Sequence, residues 1–455
     1  MCKLRGEDSV QLFDKALYGT ILEPFDYMSR IHSIALSFLI MLITSPLLWA
    51  QNTNTSDGSL SPTIRSAYWQ LNDLKLIFPV IKLNSGQSIT LHFDDFDEQQ
   101  PDYEYRFVLC DRNWNIEERL QYFEYLEGPQ QWDLWDREYS SGTFANYAHF
   151  QIQIPNEEIG ITKSGNYIVQ VFKSGHPDSV VLQKRFFVLD KQASIEGSYR
   201  PSLISQYSFS HQEIRFKAFL QTTEARQLDP YRDLSASVIQ NSRWDIMLED
   251  LKPNFVMDDG LSFEDNRKYI FPGGKEFREF DISTLQYATN WVHHIETGYN
   301  QIDAYLQPDE PSSYKSYFSK IDINGRFVPL LSEREADHIE SDYAFVHFTL
   351  KDANYMPNHD IYIYGQLSDW KIKPELKMVY REDYGVYEGI AYVKQGFYNY
   401  QYVALERESG EFSTKHIEGD SQETENDYFI FLYGNPPGGL YDQLIGYEQL
   451  LREGQ

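Results

Sequence analysis

Four His-x-Glu triplets are the first candidates for chemistry: His211/Glu213, His294/Glu296, His338/Glu340 and His416/Glu418. On a β-strand, residues two apart share a face, so each triplet could turn an imidazole and a carboxylate toward one cation. None has a third ligand close by in sequence, and the reading is exposed cross-face pairs. Asp94, Asp95, Asp97 and Glu98 form an acidic cluster. Paired carboxylates do acid–base work when one pKa is raised, and a carboxylate-rich loop can hold calcium. The D-x-[DN]-x-[DN]-G loop is absent, so this cluster reads as a solvated turn after a strand ending at Phe93. Asp322-Ile323-Asn324-Gly325 reads as a hairpin turn. There is no G-x-S-x-G elbow, no H-E-x-x-H pair and no phosphate loop, since Gly273-Gly274-Lys275 lacks the upstream glycine. These readings lead to a chain that is not an enzyme and needs no cofactor or metal.

Exposed aromatics are the other feature with functional reach. Trp132 and Trp135 follow Gly128-Pro129 in a loop. Tryptophans so placed anchor partners or stack on sugars, and both are taken as candidate partner-binding residues. The competing reading is that they cover the end of the first domain. Trp114 and Tyr147 lie in or beside alternating strands and are expected in the core of the first sandwich. Cys110, within Phe107-Val108-Leu109-Cys110, reads as a small core residue rather than a nucleophile.

The elements that position these residues are strands. Ile89, Leu91 and Phe93 alternate with polar neighbours, as do Tyr103, Tyr105 and Phe107, then Phe150, Ile152 and Ile154, then Tyr167, Val169 and Val171. A period of two with turn residues between runs means a sandwich or barrel. Aromatic content of 16% favours the same half-buried pleated surfaces. Further along, Ile214 and Phe216 flank Arg215, and Val346, Phe348 and Leu350 alternate. Tyr398, Tyr400 and Tyr402 mark a late strand. Gly396-Phe397-Tyr398 repeats Gly165-Asn166-Tyr167, a glycine turn followed by a tyrosine-opened strand, as in immunoglobulin-like sandwiches. Only Glu117 to Tyr125 looks briefly helical. The fold class is therefore all-β, with tandem immunoglobulin-like β-sandwich domains. The expected division is a leader at 1–50, a linker at 51–63, an N-terminal sandwich at 64–190, a middle β domain at 191–325 and a C-terminal early-set immunoglobulin-like domain at 326–455.

The chain of 455 residues carries a formal net charge of −28. No basic cluster offsets it, so nucleic acid and anionic lipid would be repelled. Residues 28–50 have the layout of a secretory signal: Arg30, an apolar run from Ile34 to Ile43, a break at Ser45-Pro46 and Ala50 before Gln51. The acidic residues before Met28 suit no signal peptide and point to Met28 as the start. Of the two cysteines, Cys2 lies upstream of this signal, so the mature chain is expected to hold one thiol. The expected location is the periplasm.

A series of short motifs recurs in a recognisable order. Phe78-Pro79-Val80-Ile81-Lys82-Leu83-Asn84-Ser85-Gly86 comes first, then Leu91-His92-Phe93-Asp94-Asp95 and Cys110-Asp111-Arg112-Asn113-Trp114-Asn115. Tyr147-Ala148-His149-Phe150, Ser164-Gly165-Asn166-Tyr167 and Arg185-Phe186-Phe187-Val188 close the first domain. Gly274 to Asp281, Asp322 to Gly325, Glu418-Gly419-Asp420 and Tyr441 to Gly446 continue the order. The chain resembles the plug protein family of the type IX secretion system over residues 64–447. The resemblance implies a periplasmic, non-enzymatic protein that docks on the outer-membrane β-barrel translocon and blocks its pore when no cargo is present. It implies no catalytic residues. The alternative is a carbohydrate-binding protein, because Ile361 to Trp370 resembles early-set sandwiches that hold sugar through an exposed tryptophan. A glycoside hydrolase using two carboxylates is a third reading, with nothing specific behind it.

Overall fold

The computed structural model of the chain describes residues 55–258, 260–265, 267–331, 338–351 and 354–452. The expected leader at 1–50, with its signal at 28–50, lies outside the described residues. Asn54–Gln455 forms one compact unit. It is built from strands, as the period-two patterns require, and among the described residues no helix is long and apolar enough to cross a membrane.

The first sandwich follows directly from its alternation. Strand Ile89–Asp95 pairs antiparallel with Ala148–Ile154, in a register that sets Ile89 opposite Ile154, Leu91 opposite Ile152 and Phe93 opposite Phe150. All six are buried in one core. Ile64–Gln70 and Arg137–Tyr139 flank this pair. The facing sheet runs Gly58–Ser59, Val180–Leu189, Gly165–Lys173, Tyr103–Cys110 and Trp132–Asp133, with Val80–Lys82 added in parallel to Val180–Leu189. The segment expected to be helical gives only a single 3-10 turn, Tyr122–Glu124.

The other two domains divide differently from the expectation. Among the described residues, Ala193–Pro201, His211–Leu220 and Leu234–Gln240 belong to a nine-stranded sheet that is completed by Tyr428–Gly434 and Gln443–Arg452. Leu234–Gln240 pairs along its whole length with Tyr428–Gly434. Conversely, Arg278–Asp281 pairs with Gly396–Glu406, and Ile302–Leu306 runs parallel to Tyr343–Leu350. The third sandwich thus begins before residue 326 and ends before Tyr428, and it is inserted within the middle domain. Boundaries at 325/326 and at the C-terminus fail because turn residues mark the ends of strands, whereas strand partners are chosen by pairing across long sequence separations.

The glycine–tyrosine repeat has a physical counterpart. Tyr167 Oη donates to the Lys163 carbonyl at 2.9 Å, and Tyr398 Oη donates to the Lys394 carbonyl at 2.6 Å. Each hydroxyl reaches back four residues and ties the corner to the strand that follows. This is the tyrosine corner of immunoglobulin-like sandwiches. The Asp322–Gly325 turn is also present. Asn324 and Gly325 both have positive φ, 52° and 76°, and a Cβ at Gly325 would lie 2.3 Å from the Trp370 ring.

Trp114 and Tyr147 are buried, but neither sits in the first sandwich's own core. Trp114, at 1% exposure, is carried at φ 66° by the Cys110–Asn115 loop, where Asp111 Oδ1 accepts from the Asn113 and Asn115 amides. The loop drives the indole into a cluster with Phe187 and Ile168 of the first domain and Ile239, Phe429, Phe431 and Tyr433 of the middle one. Cys110 is buried in the same cluster, and burial pushes its thiol upward. Tyr147 packs against Phe96, Tyr343 and Tyr392, and its hydroxyl donates to the Ser341 carbonyl at 2.7 Å. Both aromatics are seams between domains. Alternation marks a residue as buried without saying against what.

Candidate functional site

Trp132 and Trp135 lie on a short edge segment held at several points. Trp132–Asp133 pairs with Glu104 and Tyr105. Gln131 Nε2 donates to Glu104 Oε2 at 2.5 Å, and the Leu134 amide donates to the Tyr103 carbonyl at 2.9 Å. Leu134 goes into the core. The Arg137 amide then donates to the Trp135 carbonyl at 2.8 Å. The leucine closes the end of the sandwich, and the tryptophans are left outside: Trp132 is 38% exposed and Trp135 75%. A large apolar ring on a fixed backbone loses little entropy when it is covered, which suits a binding anchor.

The sequence-derived chemical candidates fare unevenly. His294 Nε2 and Glu296 Oε1 form the expected exposed pair, 3.2 Å apart. Glu213 and Glu418 instead are buried and bind Arg200 and Arg278. The acidic cluster is not a solvated turn throughout. Asp94 and Asp95 are buried, while Asp97 takes Lys173 at 3.0 Å nearer the surface. Asp95 accepts from Tyr103 Oη at 2.9 Å.

Asp94 opens onto a polar centre that local spacing did not reveal. Its Oδ2 accepts from Lys394 Nζ at 2.7 Å and from Tyr343 Oη at 2.6 Å, both on the third sandwich. Its Oδ1 accepts from His149 Nδ1 at 2.6 Å. His149 Nε2 in turn faces His92 Nδ1 at 3.1 Å. His338, from the segment leading into Tyr343–Leu350, stacks on both rings, and its Nδ1 meets Tyr68 Oη at 3.0 Å. His92 and His149 are 2% and 3% exposed, and His338 is half-buried. Burial works to raise the Asp94 carboxyl, but Lys394 and His149 outweigh it and hold the carboxyl at about 2. Burial, with His338, His149 and Lys75 beside it, pushes His92 down to about 2. Burial, with His149, Lys75 and Lys394 beside it, brings His338 to about 4. His92 and His338 are thus kept neutral beside an ionised carboxylate.

The signal for this centre was present but not local. His92 and His149 are the polar residues between core positions on two adjacent strands. Their opposite face is covered by the third sandwich, so a pattern that reads as half-exposed is buried on both sides.

Similarity to known proteins bears on the whole arrangement. No curated protein matches the sequence. Among solved structures, a hypothetical protein from Parabacteroides merdae superposes with a TM-score of 0.80 at 29% identity, over 87% of this chain and 98% of that one. Residues 64–190, the span expected for the first sandwich, match the family model described as the type 9 secretion system plug protein first domain. The similarity of this chain to the type IX secretion system plug protein family thus rests on residues 64–190, which match the family's first domain.

Proposed function

We propose that this protein is a periplasmic plug that docks on the outer-membrane β-barrel translocon of the type IX secretion system and occludes its pore when no cargo is present. The observation that carries the reading is the match of residues 64–190 to the plug family's first domain. Steric occlusion needs a body that does not deform. The three sandwiches are joined by buried aromatic contacts, such as Phe187 on Phe431 at 4.2 Å, and by the Asp94–Lys394 pair, and close-packed seams of this kind resist shear. Reversible docking suits a modest interface with a few aromatic anchors inside a polar rim, and Trp132 and Trp135 are the anchors proposed here. With a net charge of −28, docking on a basic barrel mouth weakens as salt rises. The protein works as a non-enzymatic component.

The carbohydrate-binding alternative needs an exposed tryptophan on the third sandwich. Trp370 is 7% exposed, with its ring against Phe277 and Tyr364, so it offers no stacking face. The direct test of the plug reading is affinity purification from membranes of the native host. A very large outer-membrane barrel should co-purify, and a glycan-array signal in its absence would favour the alternative.

A further inference from the structure

We infer that His92, His149 and His338 form a binding site for a transition-metal dication of the zinc, copper, nickel or cobalt class, which ties the first sandwich to the third. One ring nitrogen from each histidine lies within 4.8 Å of the others. His92 Nδ1 lies 3.1 Å from His149 Nε2. Two imidazole nitrogens on one tetrahedral zinc, each at about 2.0–2.1 Å, stand about 3.3 Å apart. The three rings are stacked on one another, so binding requires them to turn their nitrogens toward one point.

The surroundings are those a metal-bound histidine needs. His149 directs Nδ1–H to Asp94, which fixes its tautomer and leaves the Nε2 lone pair facing His92. Tyr68 Oη holds the His338 ring in place. The donors are uncharged nitrogens, a set that suits imidazole-seeking metals and not calcium or magnesium, which take oxygen. Two cations stand close. Lys394 is offset by Asp94, and Lys75 has its ammonium on the Pro329 carbonyl at 2.9 Å. His338 is half-buried, the least covered of the three.

His92 and His149 come from paired strands of the first sandwich, and His338 from the approach to the third. A metal here closes a long loop of chain and braces one domain against another. This inference replaces the expectation of a metal-free protein and does not depend on the plug reading.

The test is titration of chelator-stripped protein with zinc chloride, followed by calorimetry and thermal melting, and with cobalt chloride, followed by visible absorption. One equivalent of zinc should bind and raise the melting temperature, and cobalt should give the intense visible bands of a tetrahedral nitrogen-ligated ion. His338→Gln, at the half-buried ligand, should weaken zinc binding at least tenfold and abolish the melting shift. His294→Gln, in the exposed pair, should leave both unchanged. Equal binding by wild type and His338→Gln, or loss of binding in His294→Gln, would place the ion elsewhere and overturn the assignment. Should His338→Gln fail to fold, anomalous scattering from a zinc-soaked wild-type crystal decides: a peak bonded to the three histidines supports the site, and its absence there overturns it.

Discussion

Lys394 Nζ of the third sandwich lies 2.7 Å from Asp94 Oδ2 of the first, with both side chains almost wholly buried. The two residues are 300 positions apart in sequence, and Lys394 also donates to the His338 carbonyl at 2.6 Å. A charge this deep is tolerated because it is paired and its remaining hydrogen-bond capacity is used. Removing one partner leaves the other charged and unsolvated, which costs about 3–5 kcal/mol.

Lys394→Met is accordingly expected to destabilise the protein by roughly that 3–5 kcal/mol, read as a lower midpoint in urea. Adding Asp94→Asn to it should recover part of the loss, because the orphaned carboxylate is gone. A double variant no better than Lys394→Met alone would show that the lysine acts through packing on Tyr147 rather than through charge.

Trp114→Ala should cost about 3–5 kcal/mol, the usual range for emptying a large buried aromatic site. The indole touches Phe187 at 5.1 Å and Trp244 at 5.2 Å between ring centroids, and Arg185 lies over it at 4.5 Å. Because it fills a seam, the loss should appear as an early unfolding step that separates the first domain from the middle one. Limited proteolysis in mild denaturant would detect that step. A single unchanged transition would refute the seam.

Much of the first sandwich was legible because its strands are local and face one core. Phe93, Phe150 and Ile152 announce their face by alternation alone. Tyr167 and Tyr398 were legible as the openings of late sandwich strands because glycine turns precede them, while their corner hydrogen bonds came only with the structure. The last two strands were not, since Tyr428–Gly434 finds its partner at Leu234–Gln240 across the inserted sandwich. His92 and His149, 57 residues apart, were missed for a related reason. Motif spacing searches along the chain, whereas adjacent antiparallel strands bring side chains together across it. Asp94 looked solvated because a run of acidic residues is usually exposed, and nothing near it in sequence names Lys394.

Glu276 supplies a pH test at the seam between the third sandwich and the middle domain. Burial lifts its carboxyl to about 7, against hydrogen bonds from Tyr317 Oη and the Glu425 amide. The folded state therefore holds a proton that the unfolded chain releases between about 4.5 and about 7. Stability falls as pH rises through that window, and the penalty is fully present above it. Glu276→Gln cannot ionise and should melt progressively higher than wild type as pH rises from about 4.5 to about 7. Melting curves that shift in parallel at every pH would contradict the assignment.

Trp135→Ala should leave the melting temperature within experimental error of wild type, because the ring is exposed and Leu134 closes the core. The same variant should reduce recovery of the barrel in affinity purification, with Trp132→Ala weaker in effect. Undiminished recovery from the Trp132→Ala/Trp135→Ala double variant would move the docking face elsewhere.

The central claim is occlusion, and uptake of a large polar antibiotic such as vancomycin measures it. The comparison is a strain lacking this protein against its parent, with the translocon confirmed at equal levels in both. An open pore predicts markedly higher vancomycin sensitivity in the deletion strain, reversed by the wild-type gene and by loss of the translocon. Sensitivity equal to the parent, with the translocon present and otherwise unblocked, would contradict the account.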